Sequence, residues 1–313
     1  MTGSRWAAVL VLLGAVLTAT PAGADDQLPV PYTYLAGVVA QKVTPGADPP
    51  GANNWACRPS AAHPDPVVLL HGFAATMTDS WQTASPLLHN NGYCVFALTY
   101  GVYPQTAPGI GGVGPIQDSS RELAAFVRRV LDATGAAKID LVGWSEGGWL
   151  GRQYIQFDGG DATVRRYVGL APANGPTNVS QLAFKLSAAS PAFNQFRVFV
   201  AGLVGVVAPL AQQAADPDLF NQLNAGGGTS PNVIYTNLAT RYDELVPPQD
   251  AFNPTGAHVT NIVVQDGCPI DLSDHLDMAS TRRAMAMMLN ALDPAHPVPV
   301  PCLPVVPVVG GLL

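Results

Sequence analysis

LVGWSEGGWL, residues 141–150, is the stretch on which the reading of this 313-residue chain turns. Ahead of it Lys138-Ile-Asp-Leu-Val142 is an apolar run of strand length, and Gly147 to Phe157 behind it reads as helix. Ser145 sits at the junction, with Gly143 and Gly147 two residues away on either side. In a chain with 31 glycines, Gly-x-Ser-x-Gly alone is a weak signal. Between a strand and a helix it gains a physical reason, because a sharp turn there lifts the hydroxyl above the end of a sheet. Such a turn leaves no room for a Cβ at Gly143 or Gly147. The helix start also aims its amide dipoles at the serine. Ser145 is the candidate nucleophile.

Working outward, Pro66-Val-Val-Leu-Leu70 and Tyr93-Cys-Val-Phe-Ala-Leu98 are apolar runs that fit strands buried on both faces. Trp81 to Asn90 between them has helical spacing and stops at Asn-Asn-Gly. Ile116, Leu123, Phe126, Val127, Val130 and Leu131 mark one face of a helix ending before Gly135. Further strand signals lie at Tyr167–Leu170, Asn232–Thr236 and Val259–Val264, and Thr281 to Leu292 reads as a last helix. Strands alternating with helices predict an α/β fold, with a mostly parallel sheet flanked by helices over residues 65–303. Residues 25–64, rich in Pro, Gly, Ala and Asn, read as an irregular arm. Residues 176–230 break the rhythm and contain the apolar VFVAGLVGVVAPLA (198–211), which fits a helical cap or lid, or an extra core helix. The proline-rich tail, 304–313, is expected to be extended.

Residues 1–24 read as a secretory signal: Arg5, an apolar stretch Trp6–Ala19, and Ala22-Gly23-Ala24 for cleavage. An uncleaved membrane anchor is the rival, although the apolar stretch is short for a bilayer. Four cysteines suit an exported, secreted chain. Of three possible pairings, Cys57–Cys94 and Cys268–Cys302 each close a loop of about 35 residues, worth on the order of 3–4 kcal/mol. There is no Cys-x-x-Cys, so neither zinc nor dithiol redox chemistry is expected. Charged residues are 12% and the formal net charge is −7. That argues against nucleic acid and anionic membranes, and for an apolar or neutral partner. A single large domain of this kind is expected to act as a monomer. Asn178-Val-Ser180 matches a glycosylation sequon, a pattern that also arises by chance.

A serine hydroxyl needs a base, and after a turn of this kind the acid and then the base follow in chain order. His275, in DLSDHLDM between the last strand and last helix, stands where the base belongs. His258 opens a strand, and His296 lies beyond the last helix. TRYDELVPP (240–248) offers Asp243 as the acid, with Glu244 and Asp250 as alternatives. The two N–H groups facing a developing oxyanion are expected from Glu146 and, in LLHGFAAT (69–76), from Phe73.

Taken together, HGF (71–73), GWSEG (143–147), YDELVPP and DHLDM resemble secreted actinobacterial lipases and esterases of the α/β-hydrolase superfamily, as do the segments at Trp55–Cys57, 90–101 and 265–269. The resemblance covers most of residues 50–303. It implies hydrolysis of neutral carboxylic esters, triacylglycerols included, through a Ser145–His275–Asp243 acyl-enzyme route with no organic cofactor. An acyltransferase on the same triad, a short-chain esterase and a non-catalytic binding protein are the alternatives. Such lipases often carry His or Tyr before the serine and Gln after it, where this chain has Trp144 and Glu146. An acidic side chain beside the nucleophile disfavours negative charge there. Some hold a structural calcium near the histidine; Asp266, Asp271, Asp274 and Asp277 offer oxygens, but a solvated acidic loop without metal is the expectation.

Overall fold

The computed structural model describes residues 27–102, 109–175, 217–252 and 256–311. Six parallel strands form one sheet in the order β2-β1-β3-β4-β5-β6. They are β1 (Val67–Leu70), β2 (Val95–Leu98), β3 (Ile139–Trp144), β4 (Val164–Leu170), β5 (Ile234–Ala239) and β6 (Val259–Val263). The apolar runs are continuous because both faces are covered. Val67 and Leu69 pack with Trp81, Leu88, Met285 and Met288 on one side. Val68 and Leu70 pack with Leu123, Val127, Val130 and Leu150 on the other.

The helices follow the sequence closely where periodicity is strong. In chain order they are α1 (Leu35–Val43), α2 (Met77–Ser80), α3 (Ala84–Asn90), α4 (Ile116–Thr134) and α5 (Glu146–Phe157). α4 stops at Gly135, whose φ of 72° suits glycine and whose N–H caps Leu131 at 2.8 Å. The final helix is Arg282–Leu292.

Two expectations about helices are corrected. The 25–64 arm is not irregular throughout, because it contains α1, seated by Gly37: a Cβ there would lie 1.7 Å from the carbonyl oxygen of Asp79. The same arm also stitches to the edge of the sheet, with the Asn53 N–H on the Val95 carbonyl (2.9 Å) and the Asn53 side chain on both polar groups of Ala97. That covers the exposed edge of β2. The helix read over 81–90 begins later, at Ala84, and a separate short helix, α2, precedes it, started by the reciprocal capping box of Thr76 and Asp79. Within 176–230, residues 217–224 form a helix whose Phe220 and Leu223 are buried, Phe220 stacking on Trp149 at 4.2 Å. This part is packed core; residues 176–216, the signal segment 1–24 and Asn178 lie outside the described residues. The tail is not extended throughout: Val305 bridges Asp271, and residues 307–309 then turn the chain, with Val308 at φ 67°, so that Val306 pairs with Gly310.

Disulfides join Cys57 to Cys94 and Cys268 to Cys302. Among the described residues no helix is long and apolar enough to cross a membrane. The chain runs from β1 outward to β2, then back across β1 to β3. This reversal opens a crevice beyond the carboxyl ends of β1 and β3, where ligands bind in sheets of this type.

Candidate active site

Ser145 follows β3 at that crevice with φ 55° and ψ −121°, a backbone conformation that side chains rarely adopt. The turn is held from three directions. The Ser145 N–H donates to Leu170 on β4 (3.0 Å), while its carbonyl accepts from Gly148 (3.0 Å) and Ala173 (2.9 Å). The glycines are required sterically. A Cβ on Gly147 would sit 2.1 Å from the Leu70 carbonyl oxygen, and one on Gly143 would sit 2.4 Å from that of Gly147.

His275 and Asp243 meet across the loops after β6 and β5. His275 Nδ1 lies 2.8 and 3.0 Å from the two carboxylate oxygens, with both side chains buried. Asp243 is itself aimed, since Oδ1 accepts the N–H groups of Leu245 (2.9 Å) and Val246 (2.7 Å). Asp243, the acid expected from the sequence, makes this contact, and the alternatives Glu244 and Asp250 do not. Glu244 lies near enough to act on His275 only through its charge, and Asp250 packs by Gly175. Burial pushes the His275 pKa down, but the Asp243 charge and hydrogen bond, joined by Glu244 and Asp274, outweigh it and leave the imidazole above its ordinary value. With Nδ1–H donated to Asp243, Nε2 carries the lone pair. That nitrogen is buried and has no hydrogen-bond partner, and an orphaned buried polar atom of this kind marks a position with a task. Trp144 ties the two halves together: its indole N–H donates to the His275 carbonyl at 3.0 Å.

The loop after β1 comes next to Ser145 because Gly72 lacks a side chain; a Cβ there would lie 3.2 Å from the Ser145 Cβ. Phe73 follows, and Ala74 turns the chain at φ 54°. His71 braces this loop. Its Nδ1–H donates to the Gly72 carbonyl (2.8 Å) and its Nε2 accepts the Tyr100 N–H (3.2 Å). Burial lowers its pKa to about 4, so the ring is neutral. The Tyr100 hydroxyl donates to the His71 carbonyl (2.7 Å) and lies 3.3 Å from the buried Glu146 carboxyl. The acidic side chain is thus folded away from the nucleophile, and burial raises its pKa to about 8. Tyr100 and Gly112 were not singled out by sequence reasoning; the glycine-rich GIGGVG (109–114) was the available signal.

The four aspartates weighed as calcium ligands do not converge. Asp266 pairs with Arg241, Asp271 bonds Ser273, and Asp274 and Asp277 bond each other's N–H groups. Among the described residues, no group of three or more His, Cys, Asp or Glu is disposed to hold a metal ion.

A parallel sheet with a serine on a strained strand-to-helix turn, and a His–Asp pair on later loops, defines the α/β-hydrolase class. The family described as "Lipase (class 2)" matches residues 64–285, and the chain belongs to that family. It is 35% identical over 92 residues to a triacylglycerol lipase of Pseudarthrobacter phenanthrenivorans (28% of this chain, 27% of that protein). A triacylglycerol lipase of Burkholderia plantarii is also 35% identical over 92 residues (28% and 24%). The chain thus spans about a quarter of the curated relatives it matches. Among solved structures, Aspergillus fumigatus lipase B superposes with a TM-score of 0.54 at 18% identity, over 81% of this chain and 57% of that one. The mature form of Bacillus licheniformis lipase BlEst2 gives 0.54 at 16% identity, over 75% and 94%. At these identities the likeness is one of fold.

Proposed function

We propose that this chain is a secreted serine hydrolase of neutral carboxylic esters, and that its substrates are lipids such as triacylglycerols. The observation that carries the reading is the buried His275–Asp243 pair with its unpartnered Nε2, tethered to Trp144, the residue before a strained Ser145. In this reading Ser145 Oγ attacks the ester carbonyl and His275 Nε2 takes the proton. The imidazolium is stabilised by Asp243, and the tetrahedral oxyanion by the N–H groups of Phe73 and Glu146. His275 then returns the proton to the leaving alcohol, and water, activated by the same nitrogen, releases the acid.

Lipid substrates are supported by α1. Leu35, Val38, Val39 and Val43 are all exposed on it, and its Gln41 accepts from Thr76 in the loop beside Ser145 at 2.8 Å. A greasy stripe at the mouth of the site suits a lipid–water interface. Export is supported by the two disulfides and by the signal-like start.

The test is hydrolysis of p-nitrophenyl esters, from two-carbon to sixteen-carbon acyl chains, with Ser145→Ala beside the wild type. A Ser145-dependent optimum at eight carbons or more supports the lipase. An optimum at the short end makes it an esterase, and Ser145-dependent transfer to an added alcohol in preference to water makes it an acyltransferase. Absence of turnover on every ester overturns the hydrolase.

A further inference from the structure

Glu146 is used above only for its N–H. Its side chain is buried, at 7% exposed, and belongs to a closed set of contacts around the loop that carries the other N–H. The carboxyl reaches the Tyr100 hydroxyl at 3.3 Å, and that hydroxyl reaches the His71 carbonyl at 2.7 Å. The Tyr100 ring stacks on His71 at 4.1 Å, and His71 holds the Gly72 carbonyl. On the remaining side stands Gly112, where a Cβ would lie 3.0 Å from Glu146 Oε1, 2.9 Å from the Gly72 oxygen and 3.2 Å from the Phe73 Cα. One carboxyl therefore touches, directly or through Tyr100, the supports of both candidate oxyanion donors.

We propose that Glu146 is the positioning residue of the oxyanion hole, that it works as a neutral carboxylic acid, and that its ionisation turns the hole off. This rests on the hydrolase reading above. The surroundings fit an uncharged group. No Lys or Arg forms an ion pair with Glu146 among the described residues. Burial pushes its pKa to about 8, only partly opposed by the Tyr100 hydrogen bond.

Among the described residues, the groups facing it from the neighbouring elements bring no positive charge. At the end of β1, His71 is held neutral by burial, with its pKa near 4. After β2, the Tyr100 phenol is raised well above its ordinary value by burial and by Glu146. From α4, Glu122 takes the N–H of Gly101, next to Tyr100 (3.0 Å). Neither His71 nor Tyr100 titrates between about pH 5 and 9, so within the His71–Tyr100–Glu146 set the Glu146 carboxyl is the group that changes charge there. The Tyr100 hydroxyl lies 2.7 Å from the His71 carbonyl and 3.3 Å from Glu146 Oε1, and beside a neutral acid the shorter bond to His71 prevails. As an anion Glu146 draws the phenol proton to itself, releases the His71 carbonyl, and sets a negative charge beside the place where another must develop.

The experiment is the pH profile of kcat on a water-soluble p-nitrophenyl butyrate, with the Ser145→Ala background subtracted. The wild type is expected to lose rate on the alkaline side with a midpoint near 8. Glu146→Gln keeps a neutral side chain and is expected to remove that limb. Glu146→Ala is expected to lose about 10- to 100-fold in kcat at every pH. Tyr100→Phe, a second variant in case these fold poorly, removes a hydrogen bond that favours the anion and is expected to move the limb to higher pH.

An unchanged alkaline limb in Glu146→Gln overturns the proposal, as does an unaffected kcat in Glu146→Ala. The proton is also read without turnover. Wild-type minus Glu146→Gln infrared spectra should show a protonated-carboxyl stretch at about pH 6 that fades near 8. Its absence overturns the proposal even if the chain proves to hydrolyse no ester. Its presence without turnover leaves the buried acid standing and removes the hydrolase reading.

Discussion

Ser145 sits in a strained backbone conformation, and in the proposed mechanism Asp243 makes the His275 imidazole usable as a base. By accepting the Nδ1–H hydrogen bond it favours the tautomer that leaves the Nε2 lone pair free, as the proposed mechanism requires. It also holds the His275 pKa above its ordinary value against the effect of burial. A base must be neutral, so activity is expected to fall on the acidic side with a midpoint above about 6.5. Asp243→Asn should lower kcat/KM by roughly four orders of magnitude and move the acid midpoint of the residual activity downward. Rate measurements across pH on purified variants check both. Loss of rate with the acid midpoint unmoved would separate Asp243 from the base. Chain order and loop position singled out Ser145 and His275 as candidates, and the structure puts the first on a strained turn and the second against Asp243. Asp243 was the first choice for the acid, but Glu244 and Asp250 stayed as alternatives, because three carboxylates within eight residues differ only in where the loop points them.

The strand–turn–helix unit of β3, Ser145 and α5 is held in place by close approach of backbones. Gly147 stands against the carboxyl end of β1, and Gly143 against the first turn of α5. Gly147→Ala drives a methyl group into the Leu70 carbonyl and must push α5 off the sheet. The expected cost is on the order of 3 kcal/mol, read from urea unfolding, with kcat/KM falling at least as steeply as stability. At Gly135, φ is also positive but nothing lies within 4 Å of an added Cβ, so Gly135→Ala should cost only the left-handed conformation, about 1 kcal/mol. Periodicity found β3 and α5 because their spacing is local. It missed α1 because nine helical residues sit among Pro and Gly, and the helix is held by Gly37 against a carbonyl 42 positions away rather than by its own pattern.

Buried acids set how the molecule responds to pH. Burial pushes Asp140 to about 8, Glu146 to about 8 and Asp277 to about 9. Between about pH 5 and 8 the folded chain holds these protons and the unfolded chain does not. Stability therefore falls as pH rises, by at most about 1.4 kcal/mol per pH unit for each group. His275, raised on folding, adds to the same trend: its contribution is present below its unfolded value and is lost as pH passes the folded one. His71 opposes it, since with a folded pKa near 4 it favours the fold increasingly as pH rises toward 6.5. The acids outnumber it, so the melting temperature should be higher near pH 5.5 than near 8.5. Calorimetry at the two values tests this, and a higher melting temperature at the alkaline value would contradict the assignment of neutral buried acids.

Local pattern was enough for the parallel sheet and the serine turn, because strand and helix periods and glycine positions act within a few residues of one another. Loop length was enough to favour the two disulfides, since pairing near neighbours closes the smallest loops. Only the folded chain decides which acid meets His275, how Trp144 reaches the His275 carbonyl 131 positions away, and how Tyr100 lies between His71 and Glu146. Such contacts join segments far apart in sequence, and their geometry is set by how helices seat on the sheet, which no stretch of sequence carries alone.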